Sequence, residues 1–196
     1  MASKWRVACV RIPRFPIGAV WHAHNPPASA HWDTRPIALA EGKRQLLRAV
    51  TAAAARQHVR TGMTVNEARS RCATLAVLAW DDAIVSRELA RASAAFLVAS
   101  PQVSPALDAP GTWWIGAGGF DELGGEHALS CVLQEIASVW HPSARVGLAD
   151  TCVAARAATW ASRGPGAPQQ TGRRSAQRSE SFAKEHPVPG LPECAR

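Results

Sequence analysis

Histidines close to a carboxylate are the first residues of this sequence whose types and spacing could do chemistry. His22, His24 and His31 lie in one short stretch with Asp33, and neutral imidazoles with a carboxylate suit Zn²⁺ or Fe²⁺. Loop histidines are more often solvated, and the sequence contains no CxxC or HxxxH spacing to support a metal site. No metal ligands are therefore predicted.

Other patterns favour structural roles. Asp81 and Asp82 stand where a helix takes its N-cap and first turn. A structural role at the helix start is therefore favoured over a catalytic role for this carboxylate pair. The stretch GAGGFDELGG at 116–125 lacks the G-x-G-x-x-G spacing of a dinucleotide loop, so its glycines indicate bends. Neither a G-x-S-x-G nucleophile motif nor a P-loop occurs.

The composition predicts a folded protein with a polyanionic partner. The 196 residues are 47% hydrophobic and 19% charged, which is typical of a chain that folds. The formal net charge of +7 favours a polyanionic partner such as nucleic acid. A basic protein without such a partner is the alternative. No apolar run is long enough for a membrane span and no signal peptide is evident. Reduced core thiols and a cytoplasmic location are indicated by five widely spaced cysteines, Cys9, Cys72, Cys131, Cys152 and Cys194.

Alternating strand and helix patterns position these residues. Strands are predicted at 5–12, 36–41, 45–50, 74–80, 112–117 and 144–149. Helices are predicted after the first strand, at 51–59, after an N-cap at Thr64 with Glu67 three residues later, and at 81–100, 127–140 and 151–162. Residues 24–35 are a predicted loop. From 164 to 196 the Gly, Pro, Ser, Gln and Arg content predicts a linker or disordered tail.

Four stretches in this order resemble the palm and fingers of Y-family (DinB/UmuC-type) translesion DNA polymerases. They are ACVRIPRFPIGAVW (8–21), AVTAAAARQHVRTGMTVNEARSRC (49–72), SPQVSPALDAPGTWWIGAGGFDELGGE (100–126) and ARVGLADTCVAARAATWASRG (144–164). The PRFP segment is similar to the ImuB-like subset of the bacterial mutasome, which is regarded as lacking polymerase activity.

The resemblance implies an α+β fold, with a palm-like mixed or antiparallel sheet, packed helices and a small inserted fingers subdomain. It predicts palm at 1–23 (first strand and helix), a fingers-like subdomain at 24–80, palm again at 81–163, and a linker or disordered tail at 164–196. The chain ends near the point where a thumb would begin.

Family positions that hold metal in active relatives are replaced. The first strand of the family ends in D-x-D, and Arg11 and Pro13 stand at those places. A cation and a proline offer no ligand to Mg²⁺. Asp108 is the one carboxylate that matches the family's next pair, near Asp108-Ala109.

Positions that bind the triphosphate in active relatives are also replaced. Ala52 and Ala55 match the family's Tyr and Arg, with Arg56 adjacent, and Cys152 matches its Lys. The aromatic steric gate matches Pro16. The resemblance thus implies no catalytic residues, no metal and no cofactor.

The function implied is a non-catalytic scaffold of DNA-damage-induced translesion synthesis, with weak phosphate contacts through Arg11, Arg14, Arg56 and Arg60. Implied partners are an ImuA-like RecA relative, an error-prone C-family DNA polymerase and the sliding clamp. A clamp-binding QLxLW motif is not present, since QLLRAV at 45–50 lacks the terminal aromatic and lies in a predicted strand.

Two alternatives and one side-chain pairing stay open. A residual nucleotidyltransferase would use Mg²⁺ on Asp108, Asp121 or Glu122, and a truncated remnant would have no function. The pairing places the Arg11 charge in the space of the absent Mg²⁺, next to a carboxylate such as Asp108, or else against a DNA phosphate.

Overall fold

The computed structural model describes residues 6–24, 32–119, 124–161 and 169–170. The chain divides into two compact units, one formed by Arg14–Glu88 and the other by Met1–Pro13 together with Leu89–Arg196. We call them the inserted unit and the outer unit. Their boundaries differ from those of the predicted subdomains, and the assignment of palm and fingers stays a prediction.

The outer unit is built on one sheet of five strands. They are β1 (Val7–Arg11), β5 (Val103–Pro105), β6 (Thr112–Gly116), β7 (Arg145–Ala149) and β8 (Gln169–Gln170). Their order across the sheet is β5-β6-β1-β7-β8. β1 pairs antiparallel with both β6 and β7, and β8 adds in parallel to β7. The helices are the second part of α4 (Asp82–Phe96), α5 (Gly125–Ser138) and α6 (Cys152–Ala161).

Both faces of β1 are buried, which explains its continuous apolar sequence. Ala8, Cys9 and Val10 are fully buried. Trp113, opposite Val10 on β6, packs against Phe96 of α4 with ring centroids 5.2 Å apart.

The opposite face of β1 is covered by α6. Cys9 forms a small apolar cluster with Ala149 and Ala155. Gly147 of β7 allows the close approach of the helix, because a Cβ there would lie 2.8 Å from Cβ of Ala158 and 2.9 Å from N of Thr159.

The inserted unit contains a three-stranded sheet with helices. Its elements are α1 (Phe15–His24), a 3-10 turn (Trp32–Thr34), β2 (Ile37–Glu41), β3 (Leu46–Val50), α2 (Ala52–Arg56), α3 (Val65–Arg71), β4 (Ala76–Ala79) and the start of α4. The strand order is β3-β2-β4. β2 pairs antiparallel with β3 and parallel with β4.

Alternate residues of β2 enter two different cores. Ile37 and Leu39 join one apolar cluster with α1, whereas Ala38 and Ala40 join another with residues of α2 and α3. This period of two is expected of a strand covered on both faces.

The predicted capping box is confirmed. The Thr64 hydroxyl accepts a hydrogen bond from the backbone N–H of Glu67, and the Glu67 carboxylate accepts one of 2.8 Å from the backbone N–H of Thr64. Thr51 caps α2 in a similar way through the N–H of Ala54. Orphan N–H groups are thereby satisfied where the sequence indicated a helix start.

The α+β fold class is confirmed, and three local features differ from the expectations. The predicted loop 24–35 contains the 3-10 turn, β5 was not predicted because three residues carry too little periodicity, and Gln169–Gln170 form a strand inside the predicted tail. The other residues of 164–196 lie outside the described part of the chain. No helix in the described residues is long and apolar enough to span a membrane.

The cysteine prediction is confirmed only in part. Cys9 and Cys72 are buried free thiols. Cys152 is a free thiol as predicted, but it is exposed and not in the core. Cys131 is disulfide-bonded, so the prediction of a reduced thiol is wrong for it. Apolar sequence neighbours do not tell which side of a helix meets solvent.

Candidate functional site

The site lies in the outer unit, at the edge of the sheet where β1 ends and β7 begins. Arg11, the last residue of β1, stands opposite Thr112 of β6 on one side and Arg145 of β7 on the other. Residues directly opposite in antiparallel strands project from the same face, with Cβ atoms about 5 Å apart. Two arginines are therefore neighbours at this edge.

A tryptophan of α6, Trp160, lies against Arg11 and against Arg156 of the same helix. The guanidinium carbon of Arg11 lies 5.6 Å from the centre of the Trp160 ring, and that of Arg156 lies 5.7 Å from it. Both distances are within the range of cation–π attraction. We call Arg11, Arg145, Arg156 and Trp160 the arginine–tryptophan face.

The packing of α6 against the sheet holds this face in place. Ala155 and Ala158 are buried in the helix interface, and Gly147 provides the space for them. Arg156 and Trp160 are spaced i and i+4 on the helix, so their side chains lie on one side, one turn apart.

The electrostatics of the face act on the thiol below it. Burial raises the pKa of Cys9 to about 12, against the opposing effect of the positive charges of Arg156 and Arg11. Cys9 is thus a neutral core residue near neutral pH and not a nucleophile.

The side chains at the end of β1 do not fit a divalent metal. Arg11 is cationic and Pro13 has no ligand atom in its side chain, whereas Mg²⁺ prefers carboxylate oxygens. Within the described residues, no group of three His, Cys, Asp or Glu side chains could hold a metal ion. Asp121 and Glu122 lie outside the described residues.

Arg11 and Asp108 form no ion pair in the described residues. Asp108 is exposed in the turn between β5 and β6, and none of the ion pairs found in the described residues includes it. The guanidinium of Arg11 lies over the ring of Trp160. The sequence could not reveal this, because Trp160 is far from Arg11 along the chain.

The positions that match the family's triphosphate ligands and steric gate are divided between the two units. Cys152 is the exposed first residue of α6, in the outer unit. In the inserted unit, Pro16 is buried in the first turn of α1, a position that tolerates proline. Ala52 and Ala55 are both in α2, with Ala55 exposed.

The other arginines predicted to contact nucleic acid are all in the inserted unit. Arg14 has a left-handed backbone (φ 52°) and donates a 3.0 Å hydrogen bond to Asp33. Asp33 also accepts the N–H of Ala52 at 2.9 Å, so its carboxylate connects Arg14 to the first residue of α2. Arg56 and Arg60 are exposed; His31 lies outside the described residues.

Sequence reasoning missed Arg145, Arg156 and Trp160. A signal existed in the spacing of Arg156 and Trp160 on one side of a predicted helix, together with an arginine at the start of a predicted strand. Strand pairing, which brings Arg145 beside Arg11, is not readable from a single sequence.

The fold is similar to that of Y-family DNA polymerases. The crystal structure of DinB from Sulfolobus solfataricus has a TM-score of 0.63 at 14% identity, covering 81% of this chain and 46% of its own. An insertion ternary complex of Dbh DNA polymerase has a TM-score of 0.66 at 13% identity, covering 96% and 55%. The chain thus spans about half the length of these structures.

The sequence identifies the family. Residues 24–160 match the impB/mucB/samB family, and the chain belongs to it. No curated protein matches the chain. It is thus a Y-family polymerase-like protein, and the resemblance drawn from the four sequence stretches is confirmed at the level of the family.

Proposed function

We propose that this chain is a non-catalytic, ImuB-like member of its family that acts in the cytoplasm as a scaffold in DNA-damage-induced translesion synthesis. The observation that carries the proposal is the position of Arg11. It ends β1, where the family resemblance places a metal-binding carboxylate, and a second arginine, Arg145, stands opposite it.

The electrostatic argument favours this function over residual catalysis. Two-metal nucleotidyl transfer needs clustered carboxylates around the attacking and leaving oxygens. At an effective dielectric constant of about 20, a unit positive charge about 4 Å from a divalent ion is repelled by about 8 kcal/mol. A palm edge with two arginines therefore opposes metal binding.

The partners follow from the same proposal. We expect an ImuA-like RecA relative and an error-prone C-family DNA polymerase to bind this protein, with the sliding clamp as a third candidate. DNA contacts are expected to be weak and sensitive to salt, because they depend on arginines at the surface.

Primer extension with Mg²⁺ or Mn²⁺ tests the absence of catalysis. We expect no extension above the background of a protein-free reaction, with an active Y-family polymerase as the positive control. Extension that is lost in Asp108→Ala would overturn the proposal in favour of the residual nucleotidyltransferase.

Direct binding of purified partners tests the scaffold. The chain should bind the ImuA-like protein or the C-family polymerase of the same organism in a calorimetric titration. A chain that unfolds cooperatively but binds neither would contradict the scaffold, and one without a cooperative transition would favour the non-functional remnant.

A further inference from the structure

We propose that the arginine–tryptophan face binds unpaired nucleic acid without a metal ion, by stacking a base on Trp160 and placing phosphates on Arg11, Arg145 and Arg156. The inference deepens the proposed function and rests on it in one respect, namely that this edge of the sheet is not a metal site. It names unpaired strands, and not duplex, as the ligand.

Trp160 provides the stacking surface. It is 60% exposed, whereas Trp113 in the same unit is fully buried. Leaving so large an apolar ring in water forgoes the burial energy that an aromatic side chain otherwise contributes. Every base has a π face, so an exposed tryptophan binds unpaired bases with little sequence preference.

The guanidinium of Arg156 is available for an anion. It makes no hydrogen bond or ion pair with any described residue, its Nε atom is buried, and its described contact is the Trp160 ring. A buried donor without an acceptor is costly. A phosphate oxygen bound to the outer nitrogens of this group would offset part of that cost.

Arg11 and Arg145 extend the positive charge along the edge of the sheet. They stand directly opposite each other in the β1–β7 pair, and residues at such positions have Cβ atoms about 5 Å apart. One phosphate could therefore contact both guanidinium groups. The net charge of +7 adds attraction at longer range.

The exposed side of α6 continues the apolar surface. Val153 is 81% exposed and lies two helical turns before Trp160 on the same side. In a duplex the base faces are covered by stacking, and so the ring of Trp160 cannot reach them. The ring discriminates unpaired strands from duplex, while the arginines alone would not.

Fluorescence anisotropy with the full chain tests the proposal. The probes are an oligothymidylate of about 12 nucleotides, an abasic strand of the same length and a duplex, all in EDTA. The wild type should prefer the oligothymidylate to both other probes. Trp160→Ala should weaken oligothymidylate binding about tenfold and leave abasic binding unchanged, with Trp160→Phe restoring most of the loss.

The arginines have a separate readout. Arg156→Gln and Arg145→Gln should weaken binding of both single-stranded probes and lower the slope of log K against log salt by about 0.7 each. The matched control is Arg87→Gln, because Arg87 is an exposed arginine outside this face. It should change neither the affinity for the single-stranded probes nor the salt slope. Circular dichroism checks that each variant is folded.

Equal affinity for all three probes, or an unchanged affinity in folded Trp160→Ala, would overturn the inference. The same holds if the variants lose binding of a protein partner but keep binding of the oligothymidylate. Primer extension is read independently, so catalysis in a chain that still stacks bases would overturn the proposed function and not this inference.

Discussion

Two cysteines of the outer unit differ in the environment of their sulfur atoms. Cys9 is fully buried with a pKa raised to about 12, and Cys152 is exposed. We expect iodoacetamide near pH 8 to alkylate Cys152 rapidly and Cys9 only on unfolding, because the thiolate is the reactive form. Peptide mass spectrometry of a time course measures both rates.

The matched control is Cys152→Ser, in which Cys9 should stay unmodified. Rapid alkylation of Cys9 in the native protein would contradict its burial.

The folded pKa of Cys9 is raised above the pKa of the thiol in the unfolded chain. The stabilising effect of the buried neutral thiol is therefore present below the unfolded pKa and is lost as pH rises toward about 12. Cys9→Ala should remove this alkaline loss of stability.

Arg6 joins the start of β1 to two acidic residues. Its Nε and Nη2 donate to the Glu126 carboxylate, the latter at 2.7 Å, and its Nη1 donates to Asp150 at 2.8 Å. The hydrogen bonds to Glu126 and Asp150 raise the pKa of Arg6, which stays charged. Arg6→Ala should destabilise the outer unit by about 2–3 kcal/mol in urea unfolding, because Glu126 loses its partner in a mostly buried position.

Asp150→Ala is the comparison for this prediction. The Asp150 side chain is 57% exposed against 18% for Glu126, so its removal should cost less than about 1 kcal/mol. Equal effects of the two variants would show that the bidentate geometry does not matter.

At the scale of elements, the contact of β7 with α6 depends on Gly147. An added Cβ would overlap the backbone of α6 at Ala155 and Thr159. Gly147→Ala should therefore destabilise the outer unit by about 1–3 kcal/mol and weaken oligothymidylate binding by displacing Trp160. Gly118→Ala is the control, because a Cβ at that position would have no atom within 4 Å, and it should be neutral in thermal unfolding.

The start of α3 depends on Thr64 and Glu67. Hydrogen bonds from Thr64 lower the pKa of Glu67. A carboxyl with a lowered folded pKa stabilises the fold above its unfolded pKa, and this effect is lost as pH falls through the folded value. Thr64→Ala should cost about 1 kcal/mol at neutral pH and less at about pH 3, where Glu67 is protonated in the unfolded chain.

Urea unfolding at both pH values measures this difference. Thr74→Ala, a change at an exposed threonine outside the helix, is the control and should have the same small effect at both. A cost of Thr64→Ala that does not change with pH would contradict the coupling to Glu67.

The elements could be predicted from the sequence wherever local physics decides them. Thr64 with Glu67 marked a helix start, and the acidic pair Asp81-Asp82 at the start of α4 marked another, because capping depends on neighbours in the chain. The Arg11–Trp160 contact could not be predicted, nor the pairing of Arg145 with Arg11. Both depend on which strands pair and which helix covers them, and these are long-range choices.

At the scale of the whole molecule, the inserted unit is a single continuous segment with its own apolar clusters on both sides of β2. We expect the fragment Arg14–Glu88 to fold alone, with a cooperative thermal transition followed by circular dichroism. Leu39→Asp, at a fully buried position, is the control and should abolish the transition. A fragment without a transition would show that this unit needs the outer unit.

The interruption of the outer unit by the inserted unit has a consequence for biosynthesis. β1 is synthesised before its neighbours β6 and β7, which follow only after Arg14–Glu88 has been made. The apolar centre of β1, Ala8 to Val10, has no strand partner during this time, and apolar strands without partners are prone to aggregate. Arg6, Arg11 and Pro13 flank it as gatekeeper residues, so the cation that ends β1 also protects the chain while it folds.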